Sequence, residues 1–435
     1  MKSELARRLY STVSYLATPL ALARLVIKSG SHPGYRSHIS ERFGFFEKSH
    51  ETQVQGRSHV HFHAVSVGET FAAMSMVKSL EEAHKDWNFS VSVTTPTGRD
   101  QAEKHLSDIA DICFLPFDLP GSVNRFLNSI KPDILVIVET ELWPNLIAQC
   151  NSRGVPTLLM NARMSEKSAI SYQKMSAVTR PMMAQLDLVL AQFESDAKRF
   201  IQLGCIADRV LCAGNVKFDI QLTPELKQSA EKFRSIWQLQ SRKVWIAAST
   251  HPGEEAQLLN LHKELLEQFP NLLMILVPRH PERRKEVQKI TLNLELSAAL
   301  RSQSRDTDIP PQVLIVDTLG ELTLFYGLAD IAFIGGSLVP HGGHNPIEPA
   351  LWELPILTGV HCHNFNQITH QLVQAGSLVQ CQATEQLLIE LRGLLQDENA
   401  QTIQGEKSSP VLKSNLGSLQ RQQKNIEALL SQSNN

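Results

Sequence analysis

No Cys-x-x-Cys pair occurs among the 435 residues, and the six cysteines (Cys113, Cys150, Cys205, Cys212, Cys362 and Cys381) follow no framework spacing. That pattern argues against a disulfide scaffold and against cysteine-bound metal. Cys113 and Cys212 sit inside apolar runs, and the set reads as reduced, buried thiols of a cytosolic protein. No Walker motif is present and no G-x-G-x-x-G follows the first predicted strand, so ATP hydrolysis and the common dinucleotide sites lack their signatures. Net charge is close to zero, with 42 Lys and Arg against 44 Asp and Glu, which argues against nucleic-acid binding. Asp306-Thr307-Asp308 lies in a polar loop before Pro310-Pro311 and reads as a turn, while His361 and His363 read as a polar pair beside a helix start; neither makes a metal site. The longest uncharged run near the amino terminus is too short to span comfortably, since a membrane-crossing helix needs ~20 apolar residues, and both a crossing and a surface position stay open.

What is present is a chain too long for one core, so two domains of about 200 residues each are expected. Charge is unevenly placed: residues 1–50 carry eight Lys or Arg (Lys2, Arg7, Arg8, Arg24, Lys28, Arg36, Arg42, Lys48) against three Glu. Between Arg8 and Arg24 runs the uncharged LYSTVSYLATPLALA. Leu9, Val13, Leu16, Leu20, Ala23 and Ile27 recur at helical spacing, with Pro19 placed to kink the helix. A shallow or monotopic anchor over residues 1–50 is expected, its cations drawn to an anionic cytoplasmic leaflet. Ala21-Leu22-Ala23 imitates a signal-peptide cleavage site, and an ordinary core helix would also fit.

Beyond the anchor, short apolar runs alternate with longer amphipathic ones, the mark of parallel βαβ units. Strands are predicted at His59 to Val67, Phe89 to Thr95, Ile134 to Glu139, Thr157 to Asn161, Leu186 to Ala191 and Val210 to Ala213. A second series is predicted at Val244 to Ala248, Leu272 to Val277, Val313 to Val316, Ile331 to Ile334, Ile356 to Leu357 and Leu378 to Gln380. The economical architecture is α/β with two Rossmann-like domains facing a central cleft. One occupies 51–220, a polar linker region 221–242, the other 243–410, and a helix and tail 411–435. Ligands in such sheets bind outside the carboxyl ends of the strands.

The polar clusters fall there. Gly335 to Glu348 packs four glycines, two histidines and one carboxylate between a strand and a helix, an arrangement suited to a nucleotide-bound sugar. Amides at the helix start near Pro346 would face an anion, and Glu348 could accept both hydroxyls of a ribose. A Gly-rich turn capped by a helix-stabilising Glu is the plainer reading of the same residues. Glu69 follows the first strand at a helix N-terminus, where the dipole should lower its pKa and keep it ionised as a general base needs; a first-turn Glu that merely stabilises its helix would look the same. Glu139 and Glu141 end the apolar run Ile134 to Val138. Lys217, Arg279-His280 and the turn Ser249 to Glu254 could together neutralise a phosphate and a carboxylate, although each alone reads as a solvated charge or a cap.

Taken in order, the stretches HAVSVGE (63–69), LPFDLPGSVNRFL (115–127), ETELWPNLI (139–147), NARMSEKS (161–168), GNVKFD (214–219), STHPGEE (249–255), VPRHPER (277–283), DTLGEL (317–322) and GGHNPIEP (342–349) resemble the 3-deoxy-D-manno-octulosonic acid (Kdo) transferases of Gram-negative bacteria. The resemblance covers nearly the whole chain. It implies a GT-B glycosyltransferase at the cytoplasmic side of the inner membrane. Such an enzyme transfers Kdo from CMP-Kdo to a lipid A precursor (lipid IVA) with inversion and without a tightly bound metal. It implies Glu69 as general base and Glu139 and Lys217 as transition-state stabilisers. Pro278, Arg279, Leu319, Gly320, Glu321, Asn345, Pro346, Ile347 and Glu348 match the positions that hold CMP. The alternatives are a related transferase using another nucleotide sugar and a different membrane acceptor, and a non-catalytic membrane-associated nucleotide sensor.

Overall fold

The computed structural model describes residues 2–30, 33–46, 56–219 and 222–433. Lys48 of the basic set and the expected boundaries at 50/51 and 220/221 lie outside them. The chain divides into two compact units, Met1–Asp219 with Gly417–Asn435, and Ile220–Leu416.

Among the described residues the first unit holds a seven-stranded parallel sheet: β1 (His59–His63), β2 (Asn88–Val93), β3 (Asp111–Phe114), β4 (Ile134–Val138), β5 (Thr157–Ala162), β6 (Leu188–Ala191) and β7 (Val210–Cys212). Its order is β3-β2-β1-β4-β5-β6-β7. Successive side chains of a strand leave opposite faces, and here both faces are covered, so the strands read as continuous apolar runs. Val136 and Val138 pack with the helices Val67–Ala83 and Ser418–Ser433, whereas Leu135 and Ile137 pack with Pro120–Ile130 and Pro144–Ser152. The closing helix thus belongs to the sheet built by the first half of the chain, through Ile426 and Leu430.

The second unit repeats the plan with β8 (Val244–Thr250), β9 (Leu273–Pro278), β10 (Ala298–Leu300), β11 (Val313–Ile315), β12 (Ile331–Ile334), β13 (Ile356–Thr358) and β14 (Leu378–Gln380), in the order β10-β11-β9-β8-β12-β13-β14. Trp245 and Ala247 face the helices Glu255–Leu266 and Thr384–Gln396; Ile246 and Ala248 face the other side, where Ala230 and Trp237 sit. The stretch expected to link the domains is therefore in large part a packed helix, Pro224–Ile236, started by Thr223 and Pro224.

Two strands, β3 and β10, escaped the sequence reading. Both are edge strands, and an edge strand needs no continuous apolar run: β3 opens on Asp111, and β10 is three residues long. Five of the thiols are buried, but Cys212 is exposed, because β7 is also an edge.

The N-terminal segment forms one helix, Lys2–Lys28, continuous through Pro19. Within Glu4–Lys28 an 18-residue window has a mean hydropathy of 1.2 and is only 6% buried, so by length and composition alone the helix could cross a membrane. Signal sequences meet the same criterion. Leu9, Val13, Leu16, Leu20 and Ile27 are all exposed. On the other side Ser11 is buried, donating to Asn145 Oδ1 at 3.1 Å, and Tyr10 is hydrogen-bonded to the buried Asp118. Asp118 in turn accepts from the amides of Asn145 and Leu146, both at 2.9 Å, and so caps the helix Pro144–Ser152.

Candidate active site

In the first sheet the strand order reverses between β1 and β4, and the crevice outside their carboxyl ends is where such sheets bind ligands. Glu69 follows β1 and Glu139 follows β4. Ser66 caps the helix after β1: its hydroxyl accepts from the Glu69 amide at 3.3 Å and donates to Glu69 Oε1 at 2.9 Å, while Val65 N–H donates to Oε2 at 2.7 Å. This is a reciprocal capping box. The expectation that the helix dipole lowers the pKa of Glu69 is overturned. Burial raises it, and the neighbouring Glu139 adds to the rise, against the lowering by the Val65 and Ser66 bonds.

Glu139 is the first residue past five strand residues with no exposure, and its φ of 60° is left-handed. A non-glycine residue held there is strained, and strain of this kind collects at functional sites. The turn brings its Oε1 to 3.4 Å from Lys217 Nζ. Lys217 lies on a single turn, Val216–Phe218, capped by Asn215. Asn161 Oδ1 fixes that turn by accepting the Val216 amide at 3.1 Å. Glu141 is half-buried, and its pKa is pushed up to about 7, first by burial and then by Glu69 and Glu139. The first unit thus gathers three carboxylates, two of them harder to ionise than usual, and one ammonium.

In the second sheet the order reverses between β8 and β12. Pro278 ends β9, buried, and the Arg279 amide donates to Thr250 O at 2.9 Å, fastening the end of β9 to that of β8. Leu319 is 83% exposed beside Gly320, whose φ is 86°. Glu321 is held by Arg301 at 3.1 Å and by the Thr318 hydroxyl. Asn345 accepts the Ile347 amide at 3.1 Å, so part of the helix-start amide set expected to face an anion is already used within the chain. The helix itself is short, Ile347–Leu351. Glu348 accepts from the Thr323 hydroxyl at 2.8 Å and from Asn345 at 3.4 Å, which joins the 345–348 segment to the helix following Glu321. The residues expected to hold a nucleotide therefore come from loops after β9, β11 and β12.

A family model described as 3-deoxy-D-manno-octulosonic-acid transferase (kdotransferase) matches residues 37–220. A 3-deoxy-D-manno-octulosonic acid transferase of Haemophilus influenzae is 37% identical over 416 residues, covering 95% of this chain and 96% of that one. The chain belongs to the Kdo transferase family. A probable mitochondrial 3-deoxy-D-manno-octulosonic acid transferase of Arabidopsis thaliana is 33% identical, over 87% of this chain and 85% of that protein. A solved glycosyltransferase of Rickettsia africae, 14% identical, superposes with a TM-score of 0.56 over 87% of this chain and 99% of its own, a likeness of fold.

In this Kdo transferase one residue is much more important to the second site than its sequence position indicates. Glu254, fully buried, accepts from four backbone amides: His251 at 2.9 Å, Gly336 at 2.7 Å, Ser337 at 3.0 Å and Leu338 at 2.9 Å. It closes an amide nest that otherwise would take an external anion. Its lone signal in the sequence was a place in the strand-to-helix turn STHPGEE, because three of its donors lie more than eighty residues away. Among the described residues no group of three His, Cys, Asp or Glu is placed to hold a metal ion.

Proposed function

We propose that this Kdo transferase moves Kdo from CMP-Kdo to a lipid A precursor, lipid IVA, with inversion at the anomeric carbon. The observation that carries the reading is the pairing of Glu69 with the strained Glu139 and Lys217 at the reversal point of the first sheet. Glu69 takes the proton from the attacking sugar hydroxyl. The new carbon–oxygen bond forms on one face of the anomeric carbon while the bond to the CMP phosphate breaks on the other. The sugar carries oxocarbenium character between the two events, and fixed charges such as Glu139 and Lys217 stabilise it without reorganising. A carboxylate with a raised pKa is the stronger base, so the burial of Glu69 serves this task. Pro278, Arg279, Leu319, Gly320, Glu321, Asn345, Pro346, Ile347 and Glu348 hold CMP, with Glu348 on the ribose and Arg279 on the phosphate side.

The acceptor is a lipid, and the N-terminal helix brings the enzyme to the cytoplasmic face of the inner membrane. It lies on the surface. Tyr10 and Ser11 are bound to the folded body, which leaves 17 residues up to Lys28. At 1.5 Å per residue these extend roughly 26 Å, short of the ~30 Å hydrocarbon core.

The test is mass spectrometry of tetraacylated lipid A precursor incubated with CMP-Kdo and the wild-type protein or Glu69→Ala. A gain of one or more Kdo masses with wild type alone is expected, with the variant down ~10²- to 10⁴-fold in rate. No gain from folded wild type would move the assignment to another donor or acceptor.

A further inference from the structure

Beyond the positions assigned to CMP, a cluster of imidazoles occupies the reversal point of the second sheet. His251 follows β8 and His344 closes the glycine-rich segment after β12, the two strands between which the order reverses. Their Nε2 atoms are 2.9 Å apart with the ring planes 4° from parallel. His341 stacks on His251 at 4.2 Å between centroids, and His280 meets it edge-on at 6.0 Å. Gly336, at φ 67°, makes the pairing possible: a Cβ there would come within 3.1 Å of His344 and 3.3 Å of His251.

A contact between two Nε2 atoms at this distance holds one proton, donated by one ring to the lone pair of the other. Two neutral imidazoles have two N–H groups and two lone pairs, and the bridge uses one of each. One Nδ1–H and one bare Nδ1 remain. A further proton therefore goes to the bare Nδ1 of the ring that donates the bridge. The bridge survives as a charge-assisted imidazolium–imidazole bond, and the pair then carries one positive charge and two Nδ1–H donors.

The surroundings keep that extra proton off while the site holds no anion. The charged and titratable groups acting on the pair are Arg279 and His280 after β9, His341 in the same segment as His344, and Glu254 at the head of the following helix. All but Glu254 oppose a positive charge, and both Glu254 oxygens are occupied by backbone amides. Burial is the largest cause and these cationic neighbours add to it, so His344 is held down to about 4 and His251 below its ordinary value. An anion set among these groups supplies the missing counter-charge. The two rings are not a metal centre, because their Nε2 atoms point at each other.

We propose that the His251–His344 pair, with Arg279, is the receptor for the phosphate of the donor nucleotide, and that phosphate binding draws one proton from solution into the pair. This rests on CMP as the nucleotide of the second unit. Three loops supply the residues; the sequence pattern groups the turn Ser249 to Glu254 with Arg279 but does not pair His251 with His344, and only Arg279 matches a nucleotide-holding position of the family.

Isothermal titration calorimetry of CMP and of cytidine into the full-length protein between pH 7.0 and 8.5 tests it. Expected for wild type is a CMP affinity falling up to about tenfold per pH unit, with proton uptake seen as a dependence of the heat on the buffer's ionisation enthalpy. Cytidine, without phosphate, shows no such fall. The double variant His251→Gln/His344→Gln keeps hydrogen-bonding groups but leaves neither ring of the pair to take up the proton, and it should bind CMP more weakly and without pH dependence. Titration of the CMP phosphate itself runs the other way, since the dianion formed at higher pH binds a cationic site more tightly. CMP binding by wild type that does not weaken with pH, or a slope retained in the double variant, overturns the proton-linked receptor and leaves the donor assignment standing. Failure of CMP to bind at all removes the donor assignment and the receptor with it.

Discussion

Glu139 and Lys217 lie 78 residues apart in the chain and meet at 3.4 Å, each delivered by a strained or single-turn segment beyond a strand. Lys217 is 42% exposed in its side chain, so the pair contributes little to stability and its place must be read from the chemistry. Lys217→Met is expected to lower kcat by about 10²-fold or more while moving the melting temperature by no more than a degree or two. Steady-state kinetics beside differential scanning calorimetry decide it; an unchanged kcat would remove Lys217 from the transition state.

Glu254 is expected to behave in the opposite way. Glu254→Ala leaves four amides without an acceptor, two of them buried and two part-buried, and a loss of about 3 kcal/mol or more is expected for the second unit. Because Gly336–Leu338 lead into His341 and His344, the KM for the donor should rise even at temperatures where the variant is folded. Urea titration followed by tryptophan fluorescence reports the stability, and a variant as stable as wild type would show that the nest closes without its carboxylate.

The exposed stripe on the N-terminal helix predicts membrane attachment by apolar burial. Each leucine fully buried in lipid contributes about 1.5–3 kcal/mol. Leu16→Glu combined with Leu20→Glu should therefore reduce co-sedimentation with anionic phospholipid vesicles at least about 100-fold, with the circular dichroism spectrum unchanged. Undiminished co-sedimentation would place the attachment elsewhere on the molecule.

His262 makes acid sensitivity calculable. Its Nδ1 accepts from Trp245 Nε1 at 3.1 Å, so its Nε2–H donates to Gln312 O at 3.1 Å, and the ring is neutral. Burial pushes its pKa from 6.5 down to about 4. Below 6.5 the unfolded chain takes up a proton that the folded one refuses, so stability falls as the pH drops from about 6.5 to about 4, by on the order of 3 kcal/mol from this residue. Urea midpoints at pH 7 and pH 5 should differ by less in His262→Gln than in wild type. An equal difference would assign the acid loss to other groups.

The comparison of sequence with structure turns on distance along the chain. The apolar runs Ile134–Val138 and Ile331–Ile334 announced central strands, because a strand covered on both faces must be apolar at every position. The alternation of such runs with amphipathic segments determined two parallel α/β units, and the position of Glu69, Glu139, Arg279 and Glu348 just past strands determined where chemistry should be sought. The edge strands β3 and β10 carried no such signal.

Local reasoning also placed Glu69 correctly at a helix start, yet misjudged its ionisation. The helix dipole and the cap are local and legible, whereas burial and the approach of Glu139 depend on the packing of β4 beside β1. By itself the sequence determined the fold class, the strand-end locations of the polar groups and an apolar amino-terminal stripe. Tertiary structure alone decided which of those groups meet: Lys217 with Glu139, Glu254 with three amides after β12, His251 with His344, Ser11 with Asn145. These pairings are set by strand order and by turns at positive φ, and neither is encoded in the spacing of residues along one segment.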